Sequence, residues 1–132
     1  MIRILIADDD EIFGENLKEI LQRHGYDVAR VTSGRSAIER LQEESFDLLL
    51  LDLVMPQLNG ITTTQDLRKQ KIDIRIIIMT AYASREISDT ARESGVQGFI
   101  KKPFEIPVLL NLITSSLPSA SSGDVAMVPA AC

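Results

Sequence analysis

Leu48-Leu49-Leu50-Leu51-Asp52 is the stretch on which the fold turns. Side chains along a strand point to opposite faces in turn, so a sheet with one wet face alternates apolar and polar residues. Four consecutive leucines leave no polar face. Such a strand is covered on both sides, as in a parallel sheet sandwiched between helices. The acid that ends it then stands at the strand's carboxyl end.

Working outward, the same grammar repeats. Ile2 to Ala7 reads as a buried strand ending in Asp8-Asp9-Asp10, and Ile74 to Met79 as another ending in Thr80-Ala81. Asp27 to Val31 and Gly98 to Ile100 are shorter strands, the second followed by Lys101-Lys102-Pro103. Segments of helical period lie between. Asp10 caps a helix from Glu11 to His24, with Ile12, Phe13, Leu17, Ile20 and Leu21 on one face and Gly25 as its stop. Ser33 caps a helix to Glu44, with Ala37, Ile38 and Leu41 inward. Gly60 to Lys69 is a helix with a thin apolar face, and its Thr62-Thr63-Thr64 run has no functional reading. Ser84 caps a helix to Ser94, stopped by Gly95. The last helix runs from Glu105 to Ser116, with Ile106, Leu109, Leu110, Leu112 and Ile113 as its core face and Pro107 in its first turn.

Five strand–helix repeats predict an α/β fold with a parallel sheet covered on both faces. In such sheets ligands bind beyond the carboxyl ends of the strands. Asp8, Asp9, Asp52, Thr80 and Lys102 are therefore predicted to converge at one edge, although they are scattered along the chain.

Composition narrows the chemistry. The chain has 132 residues, which suits one domain. It has one cysteine, Cys132, and one histidine, His24, so no internal disulfide and no Cys/His zinc cluster can be built. His24 sits in the last turn of its helix and reads as a helix-end cation. The apolar runs are too short to span a bilayer, and the amino terminus lacks the features of a signal peptide. A cytoplasmic location is expected. The net charge of −5 argues against nucleic acid or an anionic membrane as a partner. Setting aside Asp8, Asp9, Asp10, Glu11 and Asp52 leaves as many acids as bases. The surplus is thus numerically matched by one cluster, so acidity need not describe the whole surface, and Asp10 and Glu11 suit a helix start.

Carboxylates gathered from neighbouring strands repel one another unless a cation neutralises them. Hard oxygen ligands suit Mg²⁺, which binds through a few carboxylates and phosphate oxygens. A carboxylate can also act as a nucleophile and form an aspartyl phosphate. A lysine and a hydroxyl nearby would then stabilise the charge of the transferring phosphoryl group.

Four motifs, each at a strand end, carry a resemblance: Ile4-Leu5-Ile6-Ala7-Asp8-Asp9; Leu50 through Asp52, Val54 and Pro56 to Gly60; Ile78-Met79-Thr80-Ala81; and Gly98-Phe99-Ile100-Lys101-Lys102-Pro103-Phe104. In this order they resemble the receiver domain of bacterial two-component response regulators, of the chemotaxis-regulator type. The resemblance implies a flavodoxin-like, doubly wound five-stranded parallel sheet of order 2-1-3-4-5. It implies that Asp52 accepts a phosphoryl group from a sensor histidine kinase or phosphotransfer protein. Asp9 would bind Mg²⁺ directly, Asp8 through water, and the Val54 carbonyl would be a further ligand. Lys102 would pair with Asp52 and then with the phosphoryl group, its bond to Pro103 being cis. Lys101 reads as its solvated neighbour. Thr80 would turn its hydroxyl onto a phosphoryl oxygen, aided by the Ala81 amide. Phe99 reads either as core or as the aromatic whose rotamer follows that threonine in a two-state switch. Output would pass to a partner protein or an attached domain, and a phosphorylation-dependent homodimer stays open.

Residues 1–117 form the expected receiver domain. Residues 118–132, which begin Pro118-Ser119-Ala120-Ser121-Ser122-Gly123, read as a flexible tail or the start of an interdomain linker. Val54 and Tyr82 each lie two residues past a key position, where side chains tune phosphoryl loss. Val54 offers no polar group to orient water, which predicts slow autodephosphorylation. Among rival readings, a flavin domain would cradle phosphate in the loop after the first strand, but here that loop is acidic. A phosphatase of the haloacid dehalogenase type would place a second aspartate where Val54 stands. A degenerate receiver acting only as a docking module is the remaining alternative.

Overall fold

The computed structural model describes residues 1–55 and 58–117. Pro56 and Gln57 of the second motif, and the tail from 118 to 132, lie outside the described residues. Five strands and five helices alternate: β1 (Arg3–Ala7), α1 (Glu11–Arg23), β2 (Asp27–Val31), α2 (Gly34–Glu43), β3 (Leu48–Asp52), α3 (Gly60–Lys69), β4 (Arg75–Thr80), α4 (Arg85–Glu93), β5 (Gly98–Lys101) and α5 (Ile106–Ser116). The sheet order is β2-β1-β3-β4-β5, and every neighbouring pair is parallel. This is the expected doubly wound fold, with element ends within a residue or two of those read from the sequence.

The leucine quadruplet is the hinge of the architecture. All four residues are fully buried. Leu49 and Leu51 join the core beneath α2, α3 and α4, whereas Leu48 and Leu50 join the core beneath α1 and α5. Burying each such side chain contributes about 1.5–3 kcal/mol, so β3 ties both layers together. No described helix is long and apolar enough to cross a membrane.

Helix starts follow local chemistry. Asp10, Ser33, Asn59 and Ser84 each accept a hydrogen bond from the backbone N–H three residues on, satisfying a donor that the helix itself leaves free. α5 has no side-chain cap; Pro107 in its first turn needs no donor there. Gly25 and Gly95 stop α1 and α4 at φ +92 and +102, a region that side-chain-bearing residues avoid.

One element differs from expectation. Ile12 does not face the core; it is 78% exposed. The buried stripe of α1 is Gly14, Leu17 and Leu21, and Ile12 lies well around the helix from it. The thin face of α3 is also explained. Thr63 and Thr64 are fully buried. Their hydroxyls donate to the carbonyls of Asn59 (2.8 Å) and Gly60 (2.9 Å), so no polar group is stranded. Thr63 abuts Gly34 of α2, where a Cβ would collide with its hydroxyl and with the Leu58 carbonyl.

Candidate functional site

Register places the acids side by side. Ala7 pairs with Leu51, so Asp8 and Asp52 each stand one residue beyond that pair on adjacent strands. Asp8 is fully buried, Asp52 nearly so, and Asp9 exposed. One carboxylate oxygen from each lies within 4.8 Å of the other two. Lys102, reaching in from beyond β5, sets its Nζ 2.8 Å from Asp8 Oδ2 and 3.7 Å from Asp52 Oδ1. The second Asp8 oxygen accepts from the Asp10 amide at 2.9 Å. Asp8 is thus held from both sides. The resemblance pairs Lys102 with Asp52; here the shorter contact is to Asp8, with Asp52 at ion-pair range.

The β4 and β5 ends complete the edge. The Lys102 amide donates to the Thr80 carbonyl at 2.7 Å, which fixes the lysine to the end of β4. The Lys102–Pro103 bond is cis. Thr80 is fully buried, and its hydroxyl accepts from the Tyr82 amide at 2.9 Å. Ala81 and Tyr82 are exposed. Phe99 is half-buried and packs on the core beneath α2, α3 and α4. The Val54 side chain is exposed. Gly60, at the start of α3, lies so close to β3 that a Cβ would sit 2.8 Å from the Asp52 carbonyl oxygen. Its amide donates to the Leu53 carbonyl at 2.8 Å.

Burial pushes the Asp52 carboxyl up to about 6, and the charge of Asp8 adds to the rise. Lys102 and the Val54 backbone amide oppose it, and the charge of Asp9 raises it a little further. Three carboxylates facing a single ammonium leave negative charge in excess. A hard divalent cation with oxygen preference fits this donor set. Among the described residues this is the one cluster of at least three acids, histidines or cysteines close enough to hold a metal.

The profile of the family described as "Response regulator receiver domain" matches residues 4–114. The chain belongs to that family. This receiver domain is 38% identical to the response regulator receiver protein CpdR of Brucella abortus, over 91% of the chain and 100% of CpdR. It is 36% identical to the transcriptional regulatory protein ZraR of Escherichia coli, over 93% of the chain but only 28% of ZraR. Among solved structures, the chemotaxis protein CheY4 of Vibrio cholerae superposes with a TM-score of 0.84 at 28% identity, over 89% of this chain and 99% of that one. The receiver domain therefore spans the whole of one relative and under a third of another.

Asp8, Asp9, Asp52 and Lys102 converge as the sequence predicts, and Thr80 joins them through the backbone. The helical period places Phe13 simply on the core face of α1. Its ring in fact faces the lysine, with Lys102 Nζ 4.3 Å from the ring centroid. Asn59 and Gly60 also escaped the sequence reading as site-shaping residues, although Asn before a helical Gly is a capping signal.

Proposed function

We propose that this receiver domain carries signals by accepting a phosphoryl group on Asp52 from the phosphohistidine of a sensor histidine kinase or phosphotransfer protein. An Asp52 carboxylate oxygen forms the new bond to phosphorus. The bond from phosphorus to the donor's imidazole nitrogen breaks, and its electron pair leaves with that nitrogen. One observation carries this reading: three carboxylates meet within 4.8 Å with one lysine set between Asp8 and Asp52.

Asp8, Asp9 and Asp52, with the Val54 carbonyl, would hold Mg²⁺. When bound, the cation neutralises charge on the acids and on the phosphoryl oxygens. The remaining roles belong to the chain. Lys102, held between the two buried acids, turns its ammonium to pair with a phosphoryl oxygen as the Asp52 carboxylate is consumed. The Thr80 hydroxyl, bound only to the next turn, rotates to donate to another, and the Ala81 amide supports it. Phe99 follows into the space the threonine leaves. The face formed by α4, β5 and α5 reports the change to an output domain or partner protein. The domain assists its own phosphorylation and dephosphorylation but is no multiple-turnover enzyme. It comprises residues 1–117, followed by a tail or linker, and the reducing cytoplasm suits it.

Incubation with acetyl phosphate and Mg²⁺ tests the assignment by mass. A labile gain of one phosphoryl group, lost in Asp52→Asn, is expected. No gain would favour a docking module without phosphorylation, and a gain that persists in Asp52→Asn would remove Asp52 as acceptor.

A further inference from the structure

The surroundings of the Lys102 ammonium are of two kinds. On one side stand the Asp8 and Asp52 carboxylates at 2.8 and 3.7 Å. On the other is the face of the Phe13 ring, with its centroid 4.3 Å from Nζ. Among the described residues no other acid lies within ion-pair range of this lysine. The ring is itself braced. The Phe104 ring meets it edge-on, with centroids 5.9 Å apart and planes at 83°, a favoured aromatic geometry. Its backbone is fixed too, because the amide that the Asp10 cap holds, at 3.0 Å, is that of Phe13.

We infer that Phe13 is a positioning residue for phosphoryl transfer: its ring face holds the Lys102 ammonium in place while leaving its N–H donors free for the phosphoryl group. The inference rests on the reading of Asp52 as acceptor. A carboxylate in the ring's place would pair with the lysine and compete with the incoming phosphoryl oxygens. Water there would solvate the ammonium and weaken its charge at the site. A ring face attracts the cation through its quadrupole, excludes water and accepts no conventional hydrogen bond. The ammonium can then turn from Asp8 and Asp52 toward a phosphoryl oxygen without leaving the ring. Phe104 lies in the same loop as Lys102, so the two rings also clasp that loop to α1.

The test separates the ring's electrostatics from its packing. Phenylalanine carrying one, two and three fluorines is placed site-specifically at position 13 of the full chain; each fluorine weakens the quadrupole with little change in size. The rate of phosphorylation by acetyl phosphate with Mg²⁺ is expected to fall stepwise, by about three- to tenfold across the series, while the urea midpoint stays level. In the metal-free protein, proton NMR is expected to show the Lys102 ε-methylene protons displaced by the ring current, a displacement lost in Phe13→Leu. A flat or rising rate series, a rate that falls only in step with stability, or an undisplaced lysine resonance overturns the inference. If the unmodified protein gains no phosphoryl group, the functional reading falls first and takes the inference with it. A flat series with normal phosphorylation of Asp52 removes the ring's role alone.

Discussion

The two halves of the sheet's carboxyl edge are built in opposite ways. At the β1–β3 end, Asp8 and Asp52 are buried on a strand pair whose apolar residues are all inaccessible to solvent. At the β4–β5 end, Ala81 and Tyr82 are exposed, Phe99 is half-buried, and the α4 helix beside them buries only Ala91. The first half concentrates charge in a rigid frame. Within the second, β4 is as buried as the first half, but α4 carries few buried contacts and moves at lower cost. Close packing suits the proposed phosphoryl transfer, which needs positions held, and the sparse packing of α4 suits the proposed switch.

The largest test of that contrast is in packing. Leu51→Ala, beneath the acid half, is expected to cost about 2–5 kcal/mol in urea unfolding. Ile87→Ala, in half-buried α4, is expected to cost about 1 kcal/mol. Equal losses would break the comparison.

The next test is electrostatic. With its carboxyl raised to about 6, folded Asp52 keeps a proton that the unfolded chain releases near pH 4. Stability of the metal-free protein therefore falls as pH rises through that window, and stays low above it. Asp52→Asn should stabilise the metal-free protein by about 2–3 kcal/mol at pH 8, with the gain vanishing toward pH 4. Added Mg²⁺ should stabilise the wild type and leave the variant nearly unchanged. A gain independent of pH would show that charge crowding is not its source.

Smaller effects are expected at the β4–β5 end. Thr80→Val keeps the shape but strands the Tyr82 amide, costing about 1 kcal/mol. Phosphorylation should proceed, while the NMR shifts it induces in α4 and β5 should shrink. Full shifts in the variant would detach Thr80 from the switch. The least change in stability is expected from Val54→Asn, because the side chain is exposed. It should hasten decay of the phosphorylated domain several-fold by giving an attacking water a polar partner. A decay equal to or slower than that of the wild type would refute this reading.

The legible parts of this molecule were local ones. Unbroken apolar strands mark burial on both sides, caps at Asp10, Ser33 and Ser84 mark helix starts, and Gly25 and Gly95 mark stops. Because each strand's carboxyl end must lie at one edge of a parallel sheet, the same pattern also gathered Asp8, Asp52, Thr80 and Lys102. The less legible parts were matters of direction. Ile12 and Phe13 are adjacent and both apolar, yet one points to solvent and the other to the lysine.

Period, capping and strand direction are short-range rules, so the residues alone settle the α/β class, the sheet edge and the residue types that meet there, while the strand order came with the family resemblance. Only the tertiary structure decided which partner each group takes. Lys102 sits closer to Asp8 than to Asp52 by 0.9 Å, and Thr63 and Thr64 turn their hydroxyls back into α3. Such choices rest on differences of an ångström or less in a buried, charge-crowded space, where Coulomb and hydrogen-bond energies change steeply with distance. No spacing along the chain encodes a separation that small.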